Sequence, residues 1–166
     1  MHRYKFNNIT YYLSKDLFDK DFERDWLKRY MNRQLFHFTK RRAFREILDE
    51  YQKLSGLDGY ILMHAHGTSN KRRFWSLVDG KRRINVQNWI NRHDGEGLAM
   101  LLRCCNPRKE EIYSEKSIII HPKDDINFVD LIRGGHLRIF VPKIGYLQDR
   151  KCALTETIEK IKNTFS

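Results

Sequence analysis

Residues 60–70, YILMHAHGTSN, place two histidines and a glycine at the end of an apolar run. His64 and His66 are separated by one residue, and Gly67 follows directly. An imidazole accepts and donates protons near neutral pH, and it also binds transition metals. A glycine lets the backbone approach a substrate closely, and its N–H can donate to a developing oxyanion. The stretch therefore offers either proton transfer or a metal site.

Two neighbouring cysteines end the most apolar run of the chain, GLAMLLRCC at 97–105. Because side chains alternate between the faces of a strand, Cys104 continues an apolar face and is expected in the core. Cys105 falls where the strand ends and the chain has to turn. A histidine beside a cysteine can take the thiol proton and leave the nucleophilic thiolate. We therefore expect His66 and Cys105 to act as base and nucleophile in acyl transfer.

These two segments need a scaffold that brings two strand ends together. Short apolar runs alternate with stretches of helical periodicity along the chain. This pattern predicts an α/β fold, a three-layer sandwich with a mainly parallel central sheet, in a single domain over 1–166. Ligands of such sheets bind beyond the carboxyl ends of the strands, and neighbouring strands lie about 4.8 Å apart. His66 and Cys105 can meet there if their strands are neighbours.

The predicted elements follow from periodicity, turn residues and caps. Asp79-Gly80 between two strand-like arms is a strong hairpin signal, and Gly56 stands where a helix is expected to end. The other strands are predicted at 9–13, 34–38, 59–66, 97–105, 116–122 and 136–142. Helices are predicted at 16–31, 39–54, 86–95 and 154–165.

The order of these motifs resembles the caspase-like cysteine peptidases, a group that includes caspases, metacaspases and bacterial CHAT peptidases. MHAHG matches the family's strand ending in His-Gly, and LAMLLRCCNP matches its later strand ending in the catalytic cysteine. WSLVDGKRRINVQNWI between them has the family's hairpin and helix form, so the resemblance covers about residues 57–108. It implies peptide-bond hydrolysis without a cofactor, with His66 as general base and Cys105 as nucleophile. It also implies an oxyanion hole formed by the N–H groups of Gly67 and Cys105.

An excess of positive charge distinguishes the composition, with 32 Lys and Arg against 21 Asp and Glu and a formal net charge of +11. This balance favours acidic peptides, acidic proteins or nucleic acid as partners. Arg72, Arg73, Arg82 and Arg83 flank the predicted hairpin turn and are expected to bind substrate near the site. Charge alone specifies no groove or base contact, so we favour a peptide or protein substrate over nucleic acid.

Three other functions fit parts of the same pattern. His64-x-His66 followed by Ser76-x-x-Asp79 resembles the JAMM metallopeptidases, and two histidines with a carboxylate suit catalytic zinc. A catalytically inactive caspase-like module would use the same fold to bind a partner. A basic nucleic-acid-binding protein would use the arginines of the hairpin for phosphate contacts.

The cysteine content and the apolar runs indicate the cellular compartment in which the protein is expected. Three cysteines, two of them adjacent, are a poor basis for a disulfide framework. The N-terminal segment does not resemble a secretory signal, and no apolar run approaches the roughly 20 residues of a membrane-spanning helix. We therefore expect a cytoplasmic protein with reduced thiols and no membrane contact.

Overall fold

A computed structural model of the chain describes residues 1–17, 28–29, 42–69, 74–107, 110–122 and 137–142, together with 157, 159–160 and 163. Nine strands and two helices have defined bounds within these ranges. The strands are β1 (His2–Phe6), β2 (Ile9–Leu13), β3 (Tyr60–His64), β4 (His66–Ser69), β5 (Trp75–Asp79), β6 (Arg82–Asn85), β7 (Ala99–Arg103), β8 (Ile118–Pro122) and β9 (Leu137–Phe140). The helices are α1 (Arg42–Ser55) and α2 (Val86–His93).

The strands form two sheets. Six of them make a larger sheet in the order β1-β2-β3-β7-β8-β9. β2, β3, β7 and β8 run parallel to one another, whereas β1 and β9 pair antiparallel with their neighbours. β4, β5 and β6 form a separate, fully antiparallel sheet, which we call the small sheet.

The predicted fold class is wrong. Strand residues outnumber helix residues in the described ranges, and the larger sheet is mixed instead of mainly parallel. The antiparallel pair of β1 and β2 has a physical reason in the short connection between them, because two parallel strands need a long crossover connection. A two-residue loop, Asn7-Asn8, joins β1 to β2 and therefore makes them antiparallel. Asn7 has a φ of 51°, a left-handed conformation that asparagine tolerates.

The larger sheet buries both of its faces. One face carries Tyr11, Leu62 and Leu101 and packs against Leu48 and Tyr51 of α1. The opposite face packs against α2 and the small sheet, and its contacts include Met63, Met100, Leu102, Trp75, Leu77, Val86, Trp89 and Ile90. One covering layer is therefore partly a sheet, which the sequence analysis does not predict. Burial of β7 on both faces confirms the expectation from its unbroken apolar run.

Several predicted elements are confirmed. β2, β8 and β9 match the predicted strands, β5 and β6 pair around Gly80, and α1 and α2 match predicted helices. Gly56 ends α1 with a φ of 72°, and its N–H donates to the carbonyl oxygen of Gln52 over 3.0 Å. The predicted strand at 34–38 and most of the predicted helices at 16–31 and 154–165 lie outside the described residues. No helix within the described ranges is long and apolar enough to span a bilayer.

Candidate functional site

The two strands that precede the predicted site residues are neighbours in the larger sheet. β3 and β7 pair in parallel, with His64 opposite Arg103. Beyond this pair, the N–H of Ala65 donates to the carbonyl oxygen of Arg103 over 3.2 Å. β2 lies on the other side of β3, with Leu13 opposite His64. The carboxyl ends of three parallel strands therefore meet at one edge of the sheet.

β3 ends at His64, two residues earlier than predicted. His66 is the first residue of β4, which belongs to the small sheet and pairs there with Val78 of β5. The side chain of His66 is exposed. His66 therefore lies where the chain passes from the larger sheet into the small sheet.

Gly67 packs directly against the backbone of Cys105. A Cβ added at Gly67 would overlap the carbonyl oxygen of Cys105 and would lie 2.7 Å from its carbonyl carbon and 2.9 Å from its nitrogen. Real Cβ atoms essentially never come within 3.0 Å of such atoms, so the contact requires glycine. The fold thus brings together Gly67 and Cys105, which the sequence analysis expects in one site, and His66 directly precedes Gly67.

The peptide carbonyl of Cys105 is also fixed from the small sheet. The buried indole of Trp75 donates from Nε1 to the carbonyl oxygen of Cys105 over 2.7 Å. The backbone N–H of Trp75 donates to the Glu110 carboxylate over 2.6 Å. Trp75 therefore links β5 both to Cys105 and to the loop that follows it.

The loop after Cys105 is closed by Asn106, which is fully buried. Its Nδ2 donates to the carbonyl oxygen of Glu110 over 2.9 Å, and its Oδ1 accepts from the N–H of Glu110 over 3.0 Å. No site role is predicted from the sequence for Trp75, Asn106 or Glu110. Asn-Pro after a strand does indicate a turn, but the sequence carries no signal for the partner at Glu110.

Cys104 and Cys105 differ in accessibility. Cys104 is 2% exposed and belongs to the core cluster on the α2 side of the sheet, as alternation predicts. Cys105 is half-buried. Cys105 is therefore the more accessible residue of the pair.

A buried polar group lies at the same strand ends. The hydroxyl of Tyr11 and Nδ1 of His64 are 3.0 Å apart. Burial, and to a smaller degree the nearby His66, lowers the pKa of His64 to about 4. Burial also lowers the pKa of Arg103 to about 10, partly offset by Tyr11. His64 is therefore neutral at pH 7 and serves as a hydrogen-bonding residue beside the exposed His66.

The residues of the alternative zinc site, His64, His66 and Asp79, do not come together as a set of metal ligands. The carboxylate of Asp79 is buried and accepts from the N–H of Lys15 over 2.9 Å and from the amino group of Met1 over 2.8 Å. Asp79 follows Val78, the residue that pairs with His66, and so projects from the opposite face of β5. Across the ranges that the structure describes, no group of three or more His, Cys, Asp or Glu side chains is placed to hold a metal ion.

The predicted substrate-binding arginines fall into two sets. Arg72 and Arg73 lie outside the described residues. Arg82 and Arg83 are exposed neighbours on β6, so their side chains project from opposite faces of the small sheet.

The strand ends combine the half-buried Cys105, a glycine in contact with the backbone of Cys105 and an exposed histidine next in sequence to that glycine. An imidazole and a thiol are the groups that a proton-transfer pair for acyl chemistry needs. Alternation along β4 directs the side chain of His66 to the face opposite the one at which Gly67 contacts Cys105, so the contact joins the two backbones and leaves the imidazole on the other face. No protein-family model, curated protein or solved structure matches the chain. Function is therefore argued from this geometry.

Proposed function

We propose that the chain hydrolyses peptide bonds, with the thiol of Cys105 as nucleophile and the imidazole of His66 as general base. The observation that carries the proposal is the backbone contact between Gly67 and Cys105, which leaves no space for a side chain. This contact fixes the residue after the base against the peptide unit of the nucleophile. The resemblance of MHAHG and LAMLLRCCNP to caspase-like cysteine peptidases supports the same two roles.

The proposed reaction begins with transfer of the Cys105 thiol proton to the imidazole of His66. The thiolate electron pair then forms a C–S bond with the scissile carbonyl carbon, and the carbonyl π electrons move to the oxygen. The N–H groups of Gly67 and Cys105 are the proposed donors to this oxyanion. When the tetrahedral species collapses, the C–N bond breaks and His66 returns its proton to the leaving amine.

The resulting thioester is cleaved by water. His66 takes a proton from the water, the hydroxide oxygen bonds to the acyl carbon, and the C–S bond breaks. The products are a carboxylic acid and the Cys105 thiol, so the cycle needs no redox partner or cofactor.

The surroundings of the thiol support this assignment. A catalytic nucleophile has to be held close to the reacting geometry before substrate arrives. The hydrogen bond from Trp75 holds the Cys105 carbonyl, and Asn106 and Glu110 hold the loop that follows. Cys104, in contrast, is enclosed by the core and cannot reach a substrate.

The proposed substrate is a peptide or protein, and the net charge of +11 favours an acidic one. A cytoplasmic location is part of the proposal, because a nucleophilic cysteine has to stay reduced.

Alkylation kinetics test the proposal. The rate of iodoacetamide addition to each cysteine is measured against pH by mass spectrometry, in the wild type and in His66→Ala. We expect Cys105 to react with an apparent pKa well below the about 8.5 of an ordinary thiol, and His66→Ala to abolish this shift. Cys104 serves as the internal control and should react slowly because it is buried.

The assignment of His66 as base and Cys105 as nucleophile would be rejected if Cys105 reacted with the pKa of an ordinary thiol. It would also be rejected if a low apparent pKa of Cys105 persisted in His66→Ala. The inactive interaction module would then be the better hypothesis. If the alkylation result is as expected, peptide hydrolysis should disappear in Cys105→Ala and persist in Cys104→Ala.

A further inference from the structure

Exposed basic residues from three separate segments lie together along β1 and the turn between β5 and β6. Alternation along β1 exposes Arg3 and Lys5, whereas the side chains next to them are half-buried. Lys15 follows β2, and Lys81 and Arg82 lie at the hairpin turn, and all three are exposed. We call these five residues the basic stripe.

The carboxylate of Asp79 joins the three segments. It is buried at the hairpin turn, where it accepts from the N–H of Lys15 over 2.9 Å and from the amino group of Met1 over 2.8 Å. Arg82 pairs with Asp79 across the hairpin and therefore projects from the same face. The face of the hairpin that carries Arg82 thus meets Lys15 and the start of β1.

The side chain of Lys15 lies against the hairpin turn itself. A Cβ added at Gly80 would lie 3.7 Å from Cδ of Lys15 and 3.8 Å from its Cβ. The N–H of Gly80 also donates to the carboxylate of Asp16 over 2.9 Å. Lys15 is therefore a neighbour of Lys81 in space, although the two residues are far apart in sequence.

Three carboxylates border the basic stripe, and each accepts a hydrogen bond from the protein. Asp79 is 3% exposed and is turned inward to its donors. Asp16 is exposed and is bonded to the hairpin turn. Glu96 accepts from the hydroxyl of Tyr12, the partner of Arg3 on β2, over 3.1 Å. Exposed cations outnumber these carboxylates, so the surface is positive.

The kind of partner follows from this charge and from the lack of apolar surface beside it. Protein interfaces centre on aromatic and apolar residues and are depleted in lysine, and stable membrane contact needs exposed apolar side chains or a lipid anchor. Among the residues that the structure describes, the exposed large apolar side chains are Phe74 and Tyr113, and neither belongs to the basic stripe. Phosphate groups, in contrast, are bound by lysine and arginine through charge alone.

The positions of the two exposed aromatic residues favour a duplex over a single strand. Proteins hold single-stranded nucleic acid by stacking its bases on aromatic rings. Tyr113 packs against Phe140 of β9, at the opposite end of the strand order from β1. Phe74 precedes β5, at the end of the hairpin away from its turn. A duplex needs no such rings, because its bases are already stacked and its phosphates face outward.

We propose that the basic stripe binds the phosphate backbone of double-stranded nucleic acid without reading its sequence. This is a second activity, and it does not depend on the proposed peptide hydrolysis. The five side chains supply up to five phosphate contacts, which the fold assembles from β1, the segment after β2 and the hairpin turn.

The test measures binding of a short fluorescein-labelled DNA duplex by fluorescence anisotropy over a range of salt concentrations. Lys5→Gln/Arg82→Gln removes a charge from β1 and a charge from the hairpin turn. The matched control, Lys53→Gln/Arg138→Gln, removes two exposed charges from α1 and from β9. Both double variants lower the net charge equally, so they differ only in where the charge is lost.

The salt dependence gives the number of phosphate contacts, because the logarithm of the binding constant falls by about 0.9 per contact for each tenfold rise in salt. We expect a slope of about −4.5 for the wild type and a slope shallower by about 1.8 for Lys5→Gln/Arg82→Gln. Because this electrostatic contribution vanishes near 1 M salt, the change corresponds to binding about 60-fold weaker at about 0.1 M salt. The control should keep the wild-type slope.

A charge-retaining variant separates loss of charge from a folding defect. Lys5→Arg/Arg82→Lys should bind the duplex with the wild-type slope. Alkylation of Cys105 should be unchanged in all of these variants, because none of the substituted residues belongs to the strand-end site. The outcome at the stripe and the outcome at the thiol are therefore read separately.

Equal slopes in the two glutamine double variants would overturn the inference, because net charge alone would then explain the binding. Lack of duplex binding by the wild type at low salt would overturn it as well. A labelled single strand of the same sequence and vesicles that contain phosphatidylserine test the other polyanions. Tighter binding of the single strand or of the vesicles than of the duplex would reject the duplex as the partner.

Discussion

Replacing Gly67 with alanine is expected to destabilise the protein strongly and to displace Cys105. The new methyl group would overlap the carbonyl oxygen of Cys105 and lie 2.9 Å from its nitrogen, whereas an ordinary contact of a Cβ begins near 3.4 Å. Both sides of this contact are backbone, so neither can rotate away as a side chain would. The start of β4 and the segment after β7 would have to move apart.

Two effects of this movement contribute to the loss of stability. Overpacking an interior costs about 1–3 kcal/mol. Movement of the Cys105 peptide also strains the 2.7 Å hydrogen bond from Trp75, and leaving a buried polar group unsatisfied costs about 1–3 kcal/mol more. We therefore expect Gly67→Ala to lower the free energy of unfolding by about 2–6 kcal/mol, a large part of the about 5–15 kcal/mol of a typical domain.

Gly56→Ala is the matched control. The Cβ position of Gly56 is in open space, and its φ of 72° is unfavourable for alanine. A left-handed backbone costs a non-glycine residue about 1–2 kcal/mol. The comparison therefore separates the clash at Gly67 from the general effect of replacing a loop glycine.

Two measurements decide the outcome. Urea unfolding gives the free energy of unfolding, and iodoacetamide alkylation of Cys105 in native buffer reports the environment of its thiol. Gly67→Ala should be less stable than Gly56→Ala by about 2 kcal/mol or more, and its Cys105 should lose the dependence on His66. Equal urea midpoints together with unchanged alkylation would refute the argument that this backbone contact holds the site.

Two further predictions concern buried groups. Burial lowers the pKa of both His64 and His121 to about 4. The unfolded chain therefore gains protons between pH 6.5 and 4 that the folded chain does not, and each histidine should lower stability by about 3 kcal/mol at pH 4. Urea unfolding from pH 7 to 4 measures this loss, which a flat profile would contradict. Trp75→Phe removes the indole donor to Cys105 and should cost about 2–3 kcal/mol. It should also change Cys105 alkylation, whereas Trp89→Phe, equally buried in the core, should leave alkylation unchanged.

The meeting of Gly67 and Cys105 could be predicted from two strand ends together with the order of the elements and the resemblance to caspase-like peptidases, which supplied the pairing of the two strands. An apolar run that ends in His-Gly and another that ends in two cysteines both indicate strand ends, and alternation assigns Cys104 to the core. The roles of Trp75 and Glu110 could not be predicted in this way. Their hydrogen bonds join residues about 30 positions apart, and no local pattern indicates such a pair.

The errors in the fold prediction have equally specific causes. Ala65 alone separates β3 from β4, and the pairing partner changes from β7 to β5 across it. Periodicity carries no information about the partner, and one strand was predicted where there are two. β1 was missed although its segment alternates charged and aromatic residues, the pattern of a half-buried strand, and although Asn7-Asn8 after it indicates a turn.

The chain assembles its two sheets from contacts of very different sequence separation. β4, β5 and β6 pair in order along the chain, and hairpins close in about 1–10 μs. Tyr60 pairs instead with Ala99 and with Ile9, roughly 40 and 50 residues away, and such distant pairs form slowly because a long loop has to close first. We therefore expect the small sheet, with His66, to form early in folding and Cys105 to arrive late. Thiol reactivity would then be one of the last properties that the refolding chain acquires.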